Sequence, residues 1–195
     1  MKAKSIIIVA LLAILVIYGI GVNNGFVTAE ESVESAWAQV ENQYQRRADL
    51  IPNLVNTVQG AADFEQETLQ SVIEARSRAT SITLQADDLN DPAKIQQFQA
   101  AQEQLSGALS RLLVSVERYP ELKANANFRD LQAQLEGTEN RIATERKRFN
   151  DTARQYNTDI RKFPGSLIAS ITGFDRKAYF EANEGAEQPP LVDFE

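Results

Sequence analysis

The chain has 195 residues, neither cysteine nor histidine, and a formal net charge of −7. Without cysteine it forms no disulfide, zinc–thiolate site or thiolate nucleophile. Without histidine it lacks the commonest general base and metal ligand, and any Ser-His-Asp constellation. The acidic balance argues against nucleic acid as a partner, because phosphate binding needs clustered Lys and Arg. We therefore expect neither a cofactor nor an enzymatic activity.

An uncharged run of seventeen residues, 6–22, lies near the start of the chain. About 17 apolar residues is the lower limit for a helix that crosses a bilayer. The sequence therefore predicts an N-terminal transmembrane anchor over 1–26, with membrane lipid as its partner. A buried core helix is the weaker interpretation, since no other segment is apolar enough to surround it. The positions assigned to the anchor are Ile6, Leu11, Leu15 and Val22.

The charges around this run predict its orientation. Lys2 and Lys4 precede it, whereas the next charged residues are Glu30, Glu31 and Glu34. Positive charge is retained on the cytoplasmic side of a membrane. We therefore expect a single-pass protein of the inner (cytoplasmic) membrane, with its N-terminus in the cytoplasm and its domain in the periplasm or outside the cell.

A cleaved signal peptide is the alternative to a retained signal-anchor. The small residues at 27–29 have the spacing that a signal peptidase accepts. The apolar run, however, exceeds the usual 7–15 residues of a signal peptide, and the helical pattern begins close behind it. The retained anchor is therefore favoured, and both alternatives export the domain.

Helical periodicity dominates the rest of the chain. From Val33 to Val58, apolar residues recur at alternating spacings of four and three residues. Arg47 is the only polar residue at these positions. This is the coiled-coil-like seam of a helix. A second helix opens at a capping box of Asp63 and Gln66.

Two further helices follow. The third begins at Asp91, a natural N-cap before Pro92, and the fourth runs for roughly 36 residues from near Asn125 to the stop at Pro164. Short connections between four such helices predict an elongated antiparallel four-helix bundle over 27–165. Short C-terminal helical segments are expected over 166–183, and an acidic disordered tail over 184–195.

The sharpest polar cluster consists of Arg46, Arg47, Asp49 and Pro52. Proline removes a backbone donor and clashes one turn back, so Pro52 predicts a kink near Ala48. In the favoured structural interpretation, Arg47 binds carbonyls freed by the kink or pairs with a seam carboxylate such as Glu145. In the functional alternative, the planar guanidinium clamps an anionic group of a partner.

Carboxylates on the helices raise the question of a metal. Glu117, Glu139 and Glu145 could be compared with the glutamates of di-iron bundles, but those sites also need a histidine three residues after two of the glutamates. We therefore expect these carboxylates to lie on solvated faces and to bind no metal.

Several stretches resemble the LemA family of bacterial membrane proteins. They are residues 36–40 (AWAQV), 44–55 (YQRRADLIPNLV), 115–124 (SVERYPELKA), 139–142 (ENRI), 149–150, 156–157 and 163–164. The resemblance covers nearly the whole chain up to Phe180, with Arg118 and Phe149 standing where the family more often has Asn and Tyr. It implies one N-terminal membrane helix and a long helical bundle, and no established activity. Some relatives are linked to building internal bacterial membranes.

Three functions remain open at this point. The favoured one is a non-catalytic membrane-anchored scaffold of the bacterial envelope that presents helical surfaces to protein partners. The second is a self-assembling protein that organises a membrane patch. An envelope hydrolase is a distant third, because no paired acid and base stand at a defensible spacing.

Overall fold

The computed structural model describes residues 2–60 and 64–181, and regular structure within these ranges is entirely helical. The helices are α1 (Lys2–Gln59), α2 (Gln66–Ser81), a 3-10 helix (Ala86–Asn90), α3 (Pro92–Val116), α4 (Pro120–Ala124), α5 (Ala126–Arg161) and α6 (Gly165–Thr172). The prediction of an all-α chain that begins with a long apolar helix is confirmed.

Helix α1 is unbroken over 58 residues and passes through Pro52, so it is about 87 Å long. Its large apolar side chains at positions 6–20 are exposed, including Ile6, Leu11 and Leu15, while Val22 packs against the domain. Among the described residues, α1 alone is long and apolar enough to cross a membrane, with a mean hydropathy of 2.9 over its most apolar window.

The long helices align side by side. Helix α5 runs antiparallel to α1, because Trp37 contacts Phe149 whereas Arg47, further along α1, pairs with the earlier Glu139. Helix α3 runs parallel to α1, since Phe98 and Gln102 contact the same two α1 residues in the same order. Helix α2 packs against α3.

Side-chain caps define where two of these helices begin. Asp91 accepts a hydrogen bond of 2.9 Å from the Ala93 amide, with Pro92 in the first turn of α3, as predicted. Asn125 accepts one of 2.9 Å from the Asn127 amide at the start of α5, which has the expected 36 residues. The predicted capping residue Asp63 lies outside the described residues.

The buried apolar side chains form two clusters at different levels of the molecule. The proximal core, on the side of the membrane segment, includes Phe26, Val33, Trp37, Val40, Tyr44, Phe98, Ile142, Phe149, Tyr156 and Ile160. The distal core includes Ile51, Leu54, Val58, Leu69, Val72, Leu105, Leu112, Val116, Phe128 and Leu135. The proximal core begins at Phe26, which the sequence assigns to the anchor range 1–26.

The C-terminal region departs from the sequence-based expectation of helical segments over 166–183. Helix α6 ends at Thr172, Gly173 takes a left-handed conformation (φ 81°), and residues 174–181 form a non-helical strap (the C-terminal strap) over the proximal core. The strap is not helical because its backbone groups bond to side chains of the bundle. The predicted tail at 184–195 lies outside the described residues.

Candidate functional site

A layer of polar side chains separates the two cores. It comprises Arg47 from α1, Gln102 and Ser106 from α3, and Thr138 and Glu139 from α5. Arg47 is only 1% exposed. A charge buried this deeply is tolerated only when it is paired and hydrogen-bonded.

The guanidinium of Arg47 is bonded to two neighbouring helices. Its Nη1 donates to a carboxylate oxygen of Glu139 at 2.6 Å and to the Ser106 hydroxyl at 2.7 Å. Its Nη2 donates to the side-chain and main-chain oxygens of Gln102 at 2.6 and 3.3 Å. Its carbon Cζ lies 5.2 Å from the centre of the Tyr44 ring. This planar fork joins α1, α3 and α5 at one level.

The Tyr44 hydroxyl lies in the same environment. Burial raises the pKa of Tyr44 above its ordinary value, although the guanidinium groups of Arg146 and Arg47 act in the opposite direction. The phenol therefore stays neutral at physiological pH. The net effect is a layer with one buried positive charge and one compensating carboxylate, Glu139, whose side chain is 41% exposed.

The partners of Arg47 differ from those that the sequence suggested. Glu145 does not pair with it; that carboxylate lies 3.8 Å from Arg148 on its own helix. The carboxylate that reaches Arg47 is Glu139, about one and a half turns earlier, because the antiparallel packing of α5 brings this part of the helix to the level of Arg47. The side-chain hydrogen bonds of Arg47 go to α3 and α5, and none of them reaches a carbonyl of α1.

The carbonyl freed by proline has a different ligand. Pro52 carries no N–H for the Ala48 carbonyl, one turn earlier. The Nε of Arg76, on α2, donates to that carbonyl at 2.8 Å. Arg76 thus supplies the bond that proline removes, and α1 remains continuous through Pro52. No sequence pattern singles out Arg76, since its partner is determined only by how α2 packs against α1.

The other members of the predicted cluster lie on the surface. Arg46, Asp49 and Pro52 are exposed, and Asp49 accepts a bond of 2.8 Å from Gln45 on the same helix face. Only Arg47 turns inward, so the structure does not bring the four residues together as one site.

We expect Arg76→Met to lower the free energy of unfolding by about 1 kcal/mol, because the Ala48 carbonyl loses its donor. Pro52→Ala restores a backbone N–H, so Arg76→Met should cost less in a Pro52→Ala background. Urea unfolding of the four chains in detergent measures this coupling. Arg78→Met, at an exposed position of the same helix, is the matched control. Equal costs of Arg76→Met in both backgrounds would contradict the compensation.

A second polar arrangement holds the C-terminal strap. The Asn157 side chain accepts from the Lys177 amide at 2.9 Å and donates to the Lys177 carbonyl at 2.8 Å. Asn150 forms the same two bonds with Phe180, each of 2.9 Å. Gln99 repeats the pattern on Glu181, at 3.2 Å for both. Each amide therefore replaces a neighbouring strand for one residue of the strap; we call the three together the amide clamp.

The spacing of the clamp fixes the conformation of the strap. Asn150 and Asn157 are seven residues apart on α5, about 10.5 Å along the axis. Their partners, Phe180 and Lys177, are only three residues apart, so the strap must rise about 3.5 Å per residue, the reach of an extended chain. The strap therefore runs antiparallel to α5.

Lys177 is held by its side chain as well. Its ammonium lies 2.7 Å from a carboxylate oxygen of Glu30 and 5.8 Å from the centre of the Tyr156 ring, and its side chain is buried. Burial raises the pKa of Tyr156, and the carboxylates of Glu30 and Asp175 act in the same direction. The neutral Tyr156 hydroxyl donates to the Asp175 carbonyl at 3.0 Å.

The sequence contains signals for part of both arrangements. Arg47, Gln102 and Thr138 each replace an apolar residue in the seam of a different helix, which indicates a shared polar layer. Asn150 and Asn157 each follow an aromatic residue at a spacing of seven, which places two amides on one face. Their partners could not be found in this way, because no pattern shows where the strap returns.

Within the described ranges, no three acidic side chains are grouped so that they could hold a metal ion. Glu139 is engaged by Arg47, and Glu117 pairs with Lys123. The buried polar groups described here are directed at other parts of the chain, so they serve to hold helices and strap together.

Comparison with known proteins identifies the family of this chain. A family model described as the LemA family matches residues 36–194. The chain belongs to the LemA family. The matched range contains the whole polar layer and the amide clamp, and begins after the apolar run 6–22. The resemblance inferred from the sequence is confirmed.

Curated relatives of this LemA family chain include magnetosome proteins. It is 29% identical over 185 residues to magnetosome protein MamQ of Magnetospirillum gryphiswaldense, covering 87% of this chain and 68% of the relative. Magnetosome protein MamQ 2 of Paramagnetospirillum magneticum is 28% identical with the same coverage. Protein LemA of Metamycoplasma hominis is 22% identical over 165 residues, covering 85% of this chain and 71% of the relative.

Proposed function

We propose that the chain is a non-catalytic, membrane-anchored helical scaffold that presents a rigid bundle to protein partners in the bacterial envelope. The observation that carries this proposal is the continuity of α1. Its first part exposes only apolar and uncharged side chains over 6–22, and its second part contributes Val33 to Val58 to both cores. One helix is therefore both the membrane segment and the central element of the domain.

This continuity makes the domain a rod of fixed direction. No loop separates the apolar run from the proximal core, and Val22 and Phe26 already pack against the domain. Because Gly19, Gly21 and Gly25 lie in this part of α1, the direction depends on these contacts of Val22 and Phe26 with the domain as well as on the helix itself. The packing therefore holds the domain at a constant angle to its membrane segment, as a scaffold requires. An elongated antiparallel four-helix bundle is the arrangement that the pairwise helix directions favour.

The polar groups support the same proposal. Arg47 and the three amides of the clamp direct their hydrogen bonds at the chain itself, which is typical of structural roles. The names of the compared relatives, MamQ and LemA, state no reaction. The hydrolase alternative therefore has no observation in its favour.

We place the protein in the inner membrane with Lys2 and Lys4 in the cytoplasm and the bundle outside it. The charge distribution across the apolar run supports this orientation. A reporter that is active only outside the cytoplasm, fused after Glu195, should be active, and a cytoplasmic reporter at the same site should be silent. The reverse pattern would contradict the proposed compartment.

Self-assembly into a membrane-organising array is the competing function, and the magnetosome relatives are its support. Size measurement of the intact chain in mild detergent separates the two. A scaffold for other proteins should run as a monomer or small oligomer and form crosslinks to other proteins in intact membranes. Large homo-oligomers without such crosslinks would favour self-assembly instead.

A further inference from the structure

We propose that α6 is a second membrane-contacting element that inserts its outer apolar face into the same lipid leaflet from which α1 emerges. The proposal rests on the membrane anchoring proposed for α1, and it concerns a surface that neither the scaffold function nor the polar layer uses. Its occupant is lipid, not a further protein.

The first observation is the position of α6 along α1. A Cβ atom on Gly165 would lie 2.9 Å from the Phe26 ring, so α6 begins at the level of Phe26. Its other end lines an apolar cleft, of about 420 Å³, with Ile168 and Ile171 on one side and Val16 and Ile20 on the other. Helix α6 thus runs back along α1, from the base of the domain toward the apolar run.

This position sets a depth. Val22 is the last residue of the apolar run 6–22, and Val16 lies six residues deeper, about 9 Å along the helix. Interfacial helices place their apolar faces about 5–10 Å into the boundary between headgroups and acyl chains. If 6–22 spans the hydrocarbon core, the C-terminal turn of α6 has to lie at that depth.

The second observation is the face that α6 turns outward. Leu167 and Ile171 are four residues apart on α6 and are 58% and 83% exposed, and Phe163, just before the helix, is 81% exposed. Ala169, on the opposite face, is buried against the domain. Large apolar side chains exposed together in one short segment mark a contact with a partner or membrane.

The third observation is the charge pattern. Residues 163–174 contain no charged side chain. Exposed Arg161 and Lys162 precede this segment, and exposed Asp175 and Arg176 follow it. The basic side chains on both sides can extend toward lipid phosphates while the segment enters the acyl region.

Both ends of the α6 segment are held against the base of the domain. Gly173, in its left-handed conformation, reverses the chain after α6, and its amide and that of Phe174 both bond to the Ala169 carbonyl at 2.9 and 3.1 Å. The Phe174 ring then packs edge-on against Phe26 at 5.5 Å. Phe26 therefore contacts the chain both at the start of α6 and just after its end, so α6 is held in place as a preformed projection.

The test uses single-cysteine variants of the full chain, which has no cysteine of its own. Leu167→Cys is labelled with an environment-sensitive fluorophore, and the chain is reconstituted in phosphatidylethanolamine and phosphatidylglycerol vesicles. Ile14→Cys, within the apolar run, and Val114→Cys, an exposed apolar position near the end of α3 at the level of the distal core, are the controls. Trp37 fluorescence verifies that each variant is folded.

We expect nitroxide-labelled acyl chains to quench the labels at Leu167→Cys and Ile14→Cys. The emission of both labels should also be shifted to the blue relative to that of the label at Val114→Cys. Aqueous iodide should quench only Val114→Cys. Lipid quenching at Ile14→Cys without quenching at Leu167→Cys would overturn the α6 proposal and leave the anchor intact. No lipid quenching at Ile14→Cys would instead overturn the proposed anchoring. Rapid disulfide formation between Leu167→Cys chains without lipid quenching would assign this face to a second copy and overturn the proposal.

Discussion

Replacing Arg47 with alanine is expected to lower the free energy of unfolding by about 3 kcal/mol. Breaking a buried ion pair by removing one partner usually costs about 3–5 kcal/mol. We expect the lower end, because the Glu139 side chain is 41% exposed and water can hydrate it once Arg47 is gone. The side-chain oxygen of Gln102 has no such access, so it loses its donor inside the protein, while the side-chain nitrogen keeps its bond to the Ala79 carbonyl.

The matched control is Arg46→Ala, one residue away on the exposed face of the same helix, which should change stability by less than about 0.5 kcal/mol. Arg47→Lys keeps the charge but lacks the planar fork, so it should recover only part of the loss. Denaturant unfolding of the intact chain in detergent, followed by Trp37 fluorescence, measures all three. An Arg47→Ala chain as stable as its parent would show that the residue is held for an anionic partner.

Replacing Asn157 with alanine is expected to lower the free energy of unfolding by about 2–4 kcal/mol. The substitution leaves the N–H and C=O of Lys177 without partners, at a buried position, and each such group costs about 1–3 kcal/mol. The strap should then detach locally. Since Phe180 stacks on Trp37 with ring centres 5.8 Å apart, detachment should also shift the Trp37 emission.

Cleavage by trypsin is a second measurement on the Asn157→Ala variant, because Arg176 and Lys177 are cleavage sites within the strap. Cleavage there should be much faster in Asn157→Ala than in the parent. Asn140→Ala, an exposed asparagine on the same helix, is the control and should leave both stability and cleavage unchanged. If Asn157→Ala matched the parent in both measurements, apolar burial of Phe180 alone would account for the docking of the strap.

Local sequence rules were sufficient for α1, α3 and α5 because each of these helices carries its own signals. The seam from Val33 to Val58, the Asp91 cap before Pro92 and the start of the fourth helix near Asn125 all act within one or two turns, and the structure bears them out. The strap could not be predicted in the same way. Its extended form is imposed by amide groups 20 or more residues away in sequence. The predicted helix over 166–183 is therefore confirmed only as far as Thr172, and the preference for helix is overridden over 174–181.

The polar layer was predicted only in part for a related reason. That Arg47 interrupts an apolar seam is visible in the sequence, and it implies burial. Which carboxylate pairs with Arg47 depends on how far α5 is shifted along α1. Glu139 and Glu145 are about 9 Å apart along α5, so the shift decides between them. Likewise, the Ala48 carbonyl left free by Pro52 was foreseeable, whereas its donor, Arg76, arrives from another helix.

The central claim is that the apolar start of α1 stays attached and carries the domain. Cleavage before Glu30 would remove Phe26, which is 5% exposed and packs against Gly165 and Phe174. The decisive measurement is the intact mass of the chain purified from cell membranes. We predict the full 21.7 kDa chain, in the membrane fraction, with residues 1–29 retained. A soluble chain that begins at Glu30 would contradict the claim.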